Sequence, residues 1–344
     1  MRIAINGFGR IGRAFFKMVL DEKAEVVAIN DLGDLENLAY LLRYDTVYGR
    51  FQKKINVLSD KQQIGKTEVK GKLVIDNKEI LFFQEKDPTL LPWSDLKVDV
   101  VIEATGVFAD YDKARAHIQS GAKKVIITAP AKGDEGQNGR TVLLGINDEE
   151  ADQFEVISNG SCTTNAVSSV IKILDEKIGI KKAVLNTIHA YTATQSLIDG
   201  PVNKDWLRGR AAASNILPST TGAAVTVSKV IKNLENKFDG LAVRVPVICG
   251  SLADVTFVSQ RETTVEEVNQ ILKEASLTEK WNGILMVSEL PLASSDILQD
   301  NHPAIVDLSF TKVVDGDLIK VLVWYDNEWA YAWTLLEQIK RLKI

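Results

Sequence analysis

The amino-acid sequence predicts a two-domain α/β chain, in which a parallel-sheet domain is followed by an α+β domain with a mixed or antiparallel sheet. Its 344 residues exceed the usual size of one domain. In the first part of the chain, short apolar runs alternate with helical patterns, which is typical of βαβ units whose sheet is covered on both faces. After Ile157 the character changes, and strongly alternating runs indicate strands with one exposed face.

Composition and charge exclude several classes of protein. The chain is 45% apolar and 25% charged, as in globular proteins that fold without metals or disulfides. A net charge of -5 argues against a general nucleic-acid binder. No apolar run approaches the roughly 20 residues that span a bilayer, and no secretory leader follows Met1. The two cysteines, Cys162 and Cys249, form no C-x-x-C pair, so we expect no metal site and a reducing, cytoplasmic location.

The first domain is expected to alternate strands with helices in right-handed βαβ units. Its predicted strands are Arg2–Ile5, Glu25–Ile29, Val98–Ile102 and Val125–Thr128, and its predicted helices are Arg13–Leu20 and Tyr111–Ser120. The charged, alternating stretch Phe51–Gln84 is expected to form antiparallel hairpins at the edge of the sheet.

The second domain is expected to carry helices on one face of its sheet. Its predicted elements are the helix Asn165–Leu174 and the strands Ala183–Ile188, Leu241–Val247, Ala253–Gln260, Ile305–Phe310 and Leu318–Trp324. The segment from His189 to Pro218 shows no clear period, and irregular segments of that length are often functional.

A glycine-rich turn after the first strand predicts a dinucleotide site of the Rossmann type. Gly7, Gly9 and Gly12 fit G-x-G-x-x-G, whose glycines allow a tight turn, close approach of a pyrophosphate and packing of helix on strand. The following helix presents free N–H groups to that anion. Asp31, about 20 residues further on, is placed to bind ribose hydroxyls. Its charge would repel a 2′-phosphate, so NAD is favoured over NADP.

Cys162 is the candidate nucleophile. It lies in a polar stretch of small residues that leads into a predicted helix. At a helix N-terminus, the dipole and nearby N–H groups stabilise a thiolate, and they also bind the oxyanion formed when it attacks a carbonyl. Burial among hydroxyls and amides would be costly for an inert thiol, whereas Cys249 is expected to be an ordinary buried cysteine.

His189 is the candidate base. It ends a predicted strand, where catalytic residues are commonly presented, and it could deprotonate Cys162 and later remove a hydroxyl proton as a hydride leaves. His117 is expected to be exposed on its helix, and His302 lies in a polar segment. From residue chemistry alone, a purely structural His189 is an equal alternative.

Hydroxyls and arginines downstream of His189 suggest a phosphate site. The candidates are Thr192, Thr194, Arg210, Thr221, Gly222 and Arg244. Arginines and hydroxyls commonly hold phosphate, and the turn before Ala223 offers helix N–H groups to an anion. Taken alone, each arginine could be a solvated surface residue and each hydroxyl residue a helix cap. Only the set as a whole indicates a phosphate site.

These motifs make the chain resemble the phosphorylating, glycolytic glyceraldehyde-3-phosphate dehydrogenases over essentially its whole length. The most specific are S-C-T-T-N at 161–165 and H-A-Y-T-A-T-Q at 189–195, with N-G-F-G-R-I-G-R at 6–13 and W-Y-D-N-E at 324–328. The resemblance implies a Rossmann-type NAD-binding domain formed by residues 1–161 and 324–344, and a catalytic domain formed by 162–323. It also implies a final helix from Trp333 to Leu342 and a homotetramer.

The resemblance further implies a role for each matching residue. Cys162 is the nucleophile and His189 the base, and Thr192 and Arg244 hold the phosphate of glyceraldehyde 3-phosphate. Inorganic phosphate, which attacks a thioester on Cys162 to give 1,3-bisphosphoglycerate, is held by Ser161, Thr163, Thr221 and Gly222, with Arg210 nearby. NAD is contacted by Arg10, Ile11, Asp31, Lys86, Thr128 and Asn327, beside Gly7, Gly9 and Gly12.

Two alternatives of different kinds stay open. One is erythrose-4-phosphate dehydrogenase, a close relative that prefers water to phosphate as the second nucleophile, and the other is a non-catalytic interaction protein.

The chain departs from the family pattern at Ala330 and Ala332, where glycine and serine are common beside the nicotinamide. We expect neither nucleic acid nor a membrane as a partner.

Overall fold

The computed structural model describes residues 1–203 and 205–344, whose contacts divide into two compact units. The first unit combines residues 1–142, 148–160 and 332–344, and the second combines residues 143–147 and 161–331. The boundaries predicted from the sequence differ from these units at residues 143–147, 161 and 324–331. The assignment of NAD binding and catalysis to the predicted domains stays a prediction.

The first unit is built on a sheet that is parallel over most of its width. Its strands, with two small accessory hairpins, are β1 (Arg2–Asn6), β2 (Glu25–Asn30), β3 (Tyr44–Asp45), β4 (Gly49–Arg50), β5 (Ile55–Leu58), β6 (Gln62–Ile64), β7 (Thr67–Val69), β8 (Gly71–Ile75), β9 (Lys78–Phe83), β10 (Val100–Glu103), β11 (Lys124–Ile127), β12 (Arg140–Thr141) and β13 (Val156–Ser158). The main sheet runs β12-β13-β11-β10-β1-β2-β9-β8-β5, and it is parallel from β12 to β9. β8 pairs antiparallel with β9 and β5, which confirms the predicted hairpins at the edge.

Helices of the first unit connect these strands: α1 (Arg10–Val19), α2 (Leu35–Arg43), α3 (Tyr111–Ala114) and α4 (Ala116–Gln119). The central strands are buried on both faces, with Ile3, Val101 and Val125 fully covered, as the continuous apolar runs predict. The single helix predicted over 111–120 is instead two short helices separated at Arg115.

The second unit is built on a mixed sheet. Its strands are β14 (Ile180–Ala190), β15 (Leu217–Thr220), β16 (Phe238–Val245), β17 (Ser251–Ser259), β18 (Leu285–Ser288), β19 (Ala304–Val314) and β20 (Leu318–Tyr325). The order is β15-β16-β14-β17-β20-β19-β18, in which β14–β16 and β18–β19 are parallel pairs and the other pairs are antiparallel. The predicted mixed sheet is confirmed, with each predicted strand present at slightly shifted bounds.

Helices α5 (Cys162–Ile178), α6 (Ala223–Val230) and α7 (Val265–Ser276) pack against one face of this sheet. Side chains of β17 alternate between buried and half-exposed positions, with Val255 and Phe257 on the buried side. The opposite face carries exposed apolar side chains, among them Val184 and Leu241. The sheet therefore has one covered and one open face, as its alternating pattern predicts.

The last helix is α8 (Trp329–Arg341), which begins before the predicted start at Trp333 because Asp326 caps it. Asp326 Oδ1 accepts hydrogen bonds from the backbone N–H groups of Glu328 and Trp329 at 2.9 and 2.8 Å. Ala330 and Ala332 are buried in its first turn, where alanine favours the helix more than glycine or serine would. Within the described part of the chain, no helix combines the length and apolarity needed to cross a membrane.

Candidate active site

Cys162 is the first residue of α5, and the local sequence explains why the helix begins there. Ser161 has an extended backbone, and its Oγ accepts a hydrogen bond from the backbone N–H of Thr164 at 3.0 Å. This serine cap satisfies one of the free N–H groups of the first turn. The apolar pattern alone predicts that the helix starts at Asn165, but the serine cap makes it start at Cys162. Cys162 as a whole residue is half-buried.

His189 meets Cys162 at the carboxyl end of β14. Its Nε2 lies 3.4 Å from Cys162 Sγ, and its ring is buried. Its Nδ1 lies 2.6 Å from Ala190 O and 2.5 Å from Arg244 Nη1. Nδ1 can donate to Ala190 O or accept from Arg244 Nη1, and Arg244 Nη1 has Ala190 O as another acceptor at 3.2 Å, whereas Ala190 O can only accept. We therefore assign the proton to Nδ1, which donates to Ala190 O and leaves a lone pair on Nε2 facing the thiol.

Strand register places the arginine beside the histidine. β14 and β16 pair in parallel, and His189 lies opposite Arg244 in that ladder. Burial and then the charge of Arg244 lower the pKa of His189 to about 3. Burial also raises the pKa of the Cys162 thiol, opposed by Arg244 and by hydrogen bonds at Thr163. The structure therefore holds a neutral thiol beside a neutral base. The position of Cys162 at a helix N-terminus alone predicts a thiolate. The thiol stays neutral because the effect of burial on its pKa outweighs that of Arg244 and the hydrogen bonds.

Tyr325 is a site residue to which the sequence reasoning gave no role. Its hydroxyl lies 2.8 Å from Thr163 Oγ1 and 2.7 Å from Thr187 Oγ1, and its ring meets the His189 ring edge-on with centroids 6.0 Å apart. Burial raises its pKa. The tyrosine thus stays a neutral hydroxyl that fixes Thr163 and supports the imidazole. Its sequence signals are its place at the end of β20 and its membership of the W-Y-D-N-E motif at 324–328.

The predicted anion residues lie in three places. Thr192 and Arg244 lie at the histidine end of the sheet, where Arg244 contacts His189 and Thr192 Oγ1 contacts Thr194 Oγ1 at 2.9 Å. Arg210 is exposed, and its Nε donates to Asp199 at 3.1 Å. The remaining members, Ser161, Thr163, Thr221 and Gly222, lie at or directly before the first residues of α5 and α6.

The glycine turn of the first unit has the geometry that the motif predicts. Gly7 has φ +94°, and a Cβ there would lie 2.7 Å from the backbone of Ala104 and Thr105. A Cβ on Gly12 would lie 2.1 Å from the oxygen of Gly7, so only glycine lets α1 pack this closely. A Cβ on Gly9 would meet nothing within 4 Å. The turn is therefore closed on the protein side and open on the other, which suits close approach by a ligand.

A cavity of about 430 Å³ lies against this turn within the first unit. Of the residues predicted for NAD, it is lined by Gly7, Gly9, Asp31 and Lys86. Asp31 Oδ2 accepts from the backbone N–H of Phe8 at 2.6 Å, and its Oδ1 accepts from that of Gly33 at 2.7 Å. These bonds hold the carboxylate at the cavity and leave lone pairs for further donors.

The other residues predicted to contact NAD lie at the start of α1, at the carboxyl edge of the first unit's sheet and in the second unit. Arg10 and Ile11 open α1, and Arg10 Nη1 donates to Asp45 at 2.8 Å. Thr128 follows β11 at the carboxyl edge of the sheet. Asn327 lies in the second unit, where its Oδ1 accepts from Gly250 N and Ser251 Oγ at 3.1 and 2.9 Å.

A buried polar network below the cavity was missed by the sequence reasoning. Asn30 Nδ2 donates to Asn6 Oδ1 at 2.7 Å, and Asn6 Nδ2 donates to Glu103 Oε2 at 2.5 Å. His117 Nε2 lies 3.0 Å from the same carboxylate oxygen, and its Nδ1 accepts from Trp93 at 3.0 Å. The prediction that His117 is exposed is therefore wrong. It is fully buried, because Glu103 and Trp93 satisfy both ring nitrogens.

Cys249 is an ordinary buried cysteine, as predicted, since it is 2% exposed.

A cavity of about 610 Å³ lies at the amino ends of β14 and β16, lined by lysines that include Lys182 and Lys237. This larger cavity is at the opposite end of β14 from His189 and contains none of the predicted site residues. Size alone therefore does not mark the site.

Family models match two parts of the chain. Residues 1–111 match the NAD binding domain of glyceraldehyde 3-phosphate dehydrogenase, and residues 161–327 match the C-terminal domain of the same family. Together with the glycine turn and the cysteine–histidine pair, these matches define the class as an NAD-dependent dehydrogenase of two domains.

Curated relatives match over nearly the full length. Glyceraldehyde-3-phosphate dehydrogenase of Thermotoga maritima is 45% identical over 345 residues, which cover 99% of this chain and 98% of the relative. Glyceraldehyde-3-phosphate dehydrogenase 2 of Streptomyces avermitilis is 44% identical over 341 residues, covering 98% and 97%. The enzyme of the same name from Bacillus subtilis is 42% identical over 345 residues, covering 99% and 96%. The chain belongs to the glyceraldehyde-3-phosphate dehydrogenase family, which confirms the resemblance based on its motifs.

Proposed function

We propose that this chain oxidises glyceraldehyde 3-phosphate to 1,3-bisphosphoglycerate, with NAD as the hydride acceptor and a thioester on Cys162 as the intermediate. The observation that carries the proposal is the 3.4 Å approach of Cys162 Sγ to His189 Nε2, with Arg244 on the far side of the ring. A thiol, a neutral base and a cation suited to an anionic substrate meet there within one unit.

The first step forms a carbon–sulfur bond. Cys162 Sγ attacks the aldehyde carbon while the thiol proton passes to Nε2 of His189. The N–H groups at the start of α5 stabilise the oxyanion that develops on the substrate. His189 then returns the proton to that oxygen, which leaves a neutral hemithioacetal on Cys162.

The second step oxidises this adduct. When bound, NAD supplies the hydride acceptor. His189 Nε2 takes the hydroxyl proton as the carbon–hydrogen bond breaks, and a thioester remains on Cys162. The lowered pKa of His189 keeps Nε2 unprotonated before each transfer at neutral pH.

The third step transfers the acyl group to inorganic phosphate. A phosphate oxygen attacks the thioester carbon, the carbon–sulfur bond breaks, and Cys162 leaves as a thiolate that regains its proton from His189. Of the residues proposed to hold this phosphate, Thr163 shares its hydroxyl with Tyr325 and Arg210 is bound to Asp199. At the start of α6, the backbone N–H of Ala223 donates to Thr221 Oγ1 at 3.2 Å, and Gly222 makes no side-chain cap. The other N–H groups of that first turn are the anion donors that this proposal favours.

The first unit is proposed to hold NAD at the cavity beside the glycine turn. Gly9 offers an open approach for a pyrophosphate, and Asp31 faces the cavity with a carboxylate that suits ribose hydroxyls. Leu32 and Val107 line the same cavity although both are more than half exposed. Exposed apolar side chains in a binding cavity suit the faces of an aromatic base.

The homotetramer predicted from the resemblance is part of the proposal. The open face of the second unit's sheet supports it, because Val184 and Leu241 are 61% and 47% exposed there. Contiguous exposed apolar surface is typical of protein interfaces. Sedimentation velocity would test this part. The predicted cytoplasmic location stays a prediction.

A rapid-mixing assay tests the proposed reaction. Mixed with NAD and glyceraldehyde 3-phosphate but no phosphate, the protein should release one NADH per chain and then stall, and added phosphate should restore turnover. Cys162→Ala should lose this burst, while Cys249→Ala, the matched change at the buried thiol, should keep it. Steady turnover without phosphate on erythrose 4-phosphate would favour that dehydrogenase instead. No NADH from either aldehyde would contradict catalysis and favour a binding role.

A further inference from the structure

Glu103 is a buried carboxylate at the carboxyl end of β10, and the reaction described above gives it no role. It is 1% exposed, in the middle of the parallel part of the first sheet. Among the residues that the structure describes, no lysine or arginine forms an ion pair with it, and its salt-bridge partner is His117. Burying a carboxylate without a cation is costly, so its hydrogen bonds must compensate for the water it loses.

Hydrogen bonding determines which nitrogen of His117 carries the proton. The indole Nε1 of Trp93 can only donate, and it lies 3.0 Å from His117 Nδ1. Nδ1 is therefore the acceptor, and we assign the ring proton to Nε2. Nε2 then donates to Glu103 Oε2 at 3.0 Å. The imidazole is a neutral donor that Trp93 holds toward Glu103.

Four donors converge on the Glu103 carboxylate. Oε2 accepts from His117 Nε2 and from Asn6 Nδ2, the latter at 2.5 Å. Oε1 accepts from the backbone N–H of Thr105 at 2.9 Å and from the Thr105 hydroxyl. Thr105 Oγ1 in turn accepts from the backbone N–H of Val107 at 3.0 Å. Both carboxylate oxygens act as acceptors, which holds the group in one orientation and fixes the turn after β10.

The hydrogen-bonded chain continues across the neighbouring strand ends. Asn30 Nδ2 donates to Asn6 Oδ1 at 2.7 Å and to Glu85 O at 2.9 Å. Asn30 Oδ1 accepts from the backbone N–H of Glu85 at 2.8 Å. The chain therefore joins the carboxyl ends of β10, β1 and β2 to the segment after β9. We call these residues the polar belt: Asn6, Asn30, Glu85, Glu103, Thr105 and His117.

The polar belt supports the cavity beside the glycine turn. Four of its members line that cavity: Asn6, Asn30, Glu85 and Thr105. Asp31 and Lys86, which are proposed to contact NAD, directly follow two of these residues in the chain. Glu103 and His117 lie behind the lining residues and are almost fully buried. They can therefore act on a bound ligand only through the belt.

We propose that the Glu103–His117 pair positions the wall of this cavity and thereby raises the affinity for the adenosine half of NAD. Both are positioning residues, because neither lines the cavity. A wall that is fixed before the ligand arrives lowers the entropy lost on binding. The inference rests on the cofactor site of the proposed function, in which Asp31 suits a ribose and exposed Leu32 and Val107 suit an aromatic base.

Glu103→Gln tests the inference with little change of shape. The amide replaces one acceptor oxygen by an NH₂ donor, which in either orientation faces two of the converging donors. Calorimetry should show a Kd for NAD about 10-fold higher, the scale of one lost buried hydrogen bond. ADP-ribose, which lacks the nicotinamide, should lose the same factor. In steady-state assays the KM for NAD should rise while kcat changes little, since Cys162 and His189 belong to the second unit.

A pair of variants at His117 gives a second test, which also decides the question if Glu103→Gln does not fold. His117→Leu removes one of the four donors and should raise the Kd for NAD by a smaller factor than Glu103→Gln. His117→Gln restores an amide donor for Glu103 and an acceptor for Trp93, so it should recover part of that loss. An equal Kd for NAD in both His117 variants and the unmodified protein would overturn the inference.

Lys124→Met is the matched control. Lys124 is 5% exposed at the amino end of β11, and its Nζ donates to the backbone oxygens of Ala151 and Phe154, the latter at 2.6 Å. The change removes buried hydrogen bonds from the same sheet at the end away from the cavity. It should lower the melting temperature and leave the Kd for NAD unchanged.

The remaining outcomes separate positioning from stability. A Glu103→Gln protein that melts earlier but binds NAD as tightly as the unmodified protein would overturn the inference, and so would an equal rise in Kd for Lys124→Met. A loss for NAD without a loss for ADP-ribose would overturn the assignment to the adenosine half. Failure of the proposed reaction is distinguishable, because a protein that binds NAD but forms no NADH would refute that reaction and leave the calorimetric comparison valid.

Discussion

Replacing His189 with asparagine removes the proposed base and keeps a polar side chain in its place. The imidazole Nε2 lies 3.4 Å from Cys162 Sγ, and its pKa of about 3 leaves it unprotonated at neutral pH. It is therefore available for both proton transfers before the thioester forms. A positioned acid–base group contributes about 10²–10⁴-fold to rate, which corresponds to roughly 3–5 kcal/mol of barrier.

The assay is stopped-flow detection of NADH in a single turnover without phosphate. His189→Asn should slow the burst by about 10²–10⁴-fold while its amplitude stays at one NADH per chain. Binding of NAD, measured by calorimetry, should not change. A burst at the rate of the unmodified protein would refute the assignment of His189 as base. In the unmodified protein, the burst rate should not show an inflection near the ordinary histidine pKa, because that pKa is lowered by burial and by Arg244.

Three further predictions concern Cys162, Asp31 and His189. Cys162→Ala should abolish turnover and leave NAD binding intact by calorimetry; substantial turnover would exclude a covalent mechanism. Asp31→Ala should raise kcat/KM with NADP relative to NAD, since a repelling carboxylate is removed; an unchanged ratio would contradict its role. The pKa of His189 in the folded protein lies below the ordinary histidine value of 6.5. On acidification below that ordinary value the unfolded chain takes up a proton that the folded protein does not, so the free energy of unfolding should fall by about 2 kcal/mol between roughly pH 7 and pH 5. Urea unfolding at both pH values should show a smaller loss in His189→Asn, and equal losses would contradict the assignment.

Sequence patterns predicted the parts of the fold that depend on burial. The strands around Ile3, Val101 and Val125 are continuous apolar runs, and these three residues are fully covered in the structure, because both faces of a parallel sheet between helices are buried. The alternation along β17 likewise predicted a sheet with one open face. Element bounds were less accurate, since caps such as Ser161 and Asp326 start helices before their apolar pattern begins.

The parts that could not be predicted depend on long-range pairing of polar groups. His117 looks exposed from its charged neighbours, yet Glu103 and Trp93 satisfy it in the interior. The register of β14 and β16 places Arg244 beside His189, and no local pattern contains that register. Arg208 reaches Thr194 only because a 3₁₀ turn is tied back to residues 196–200. Such contacts join residues that are distant in the chain or lie in segments without a period.

The most direct test of the covalent account is mass spectrometry of the protein after mixing with NAD and glyceraldehyde 3-phosphate in phosphate-free buffer. One acyl group per chain is expected, located by peptide mapping on Cys162 and absent from Cys249. Added inorganic phosphate should remove it and release 1,3-bisphosphoglycerate. An unmodified Cys162 while NADH forms, or an acyl group that persists in phosphate, would refute the thioester mechanism.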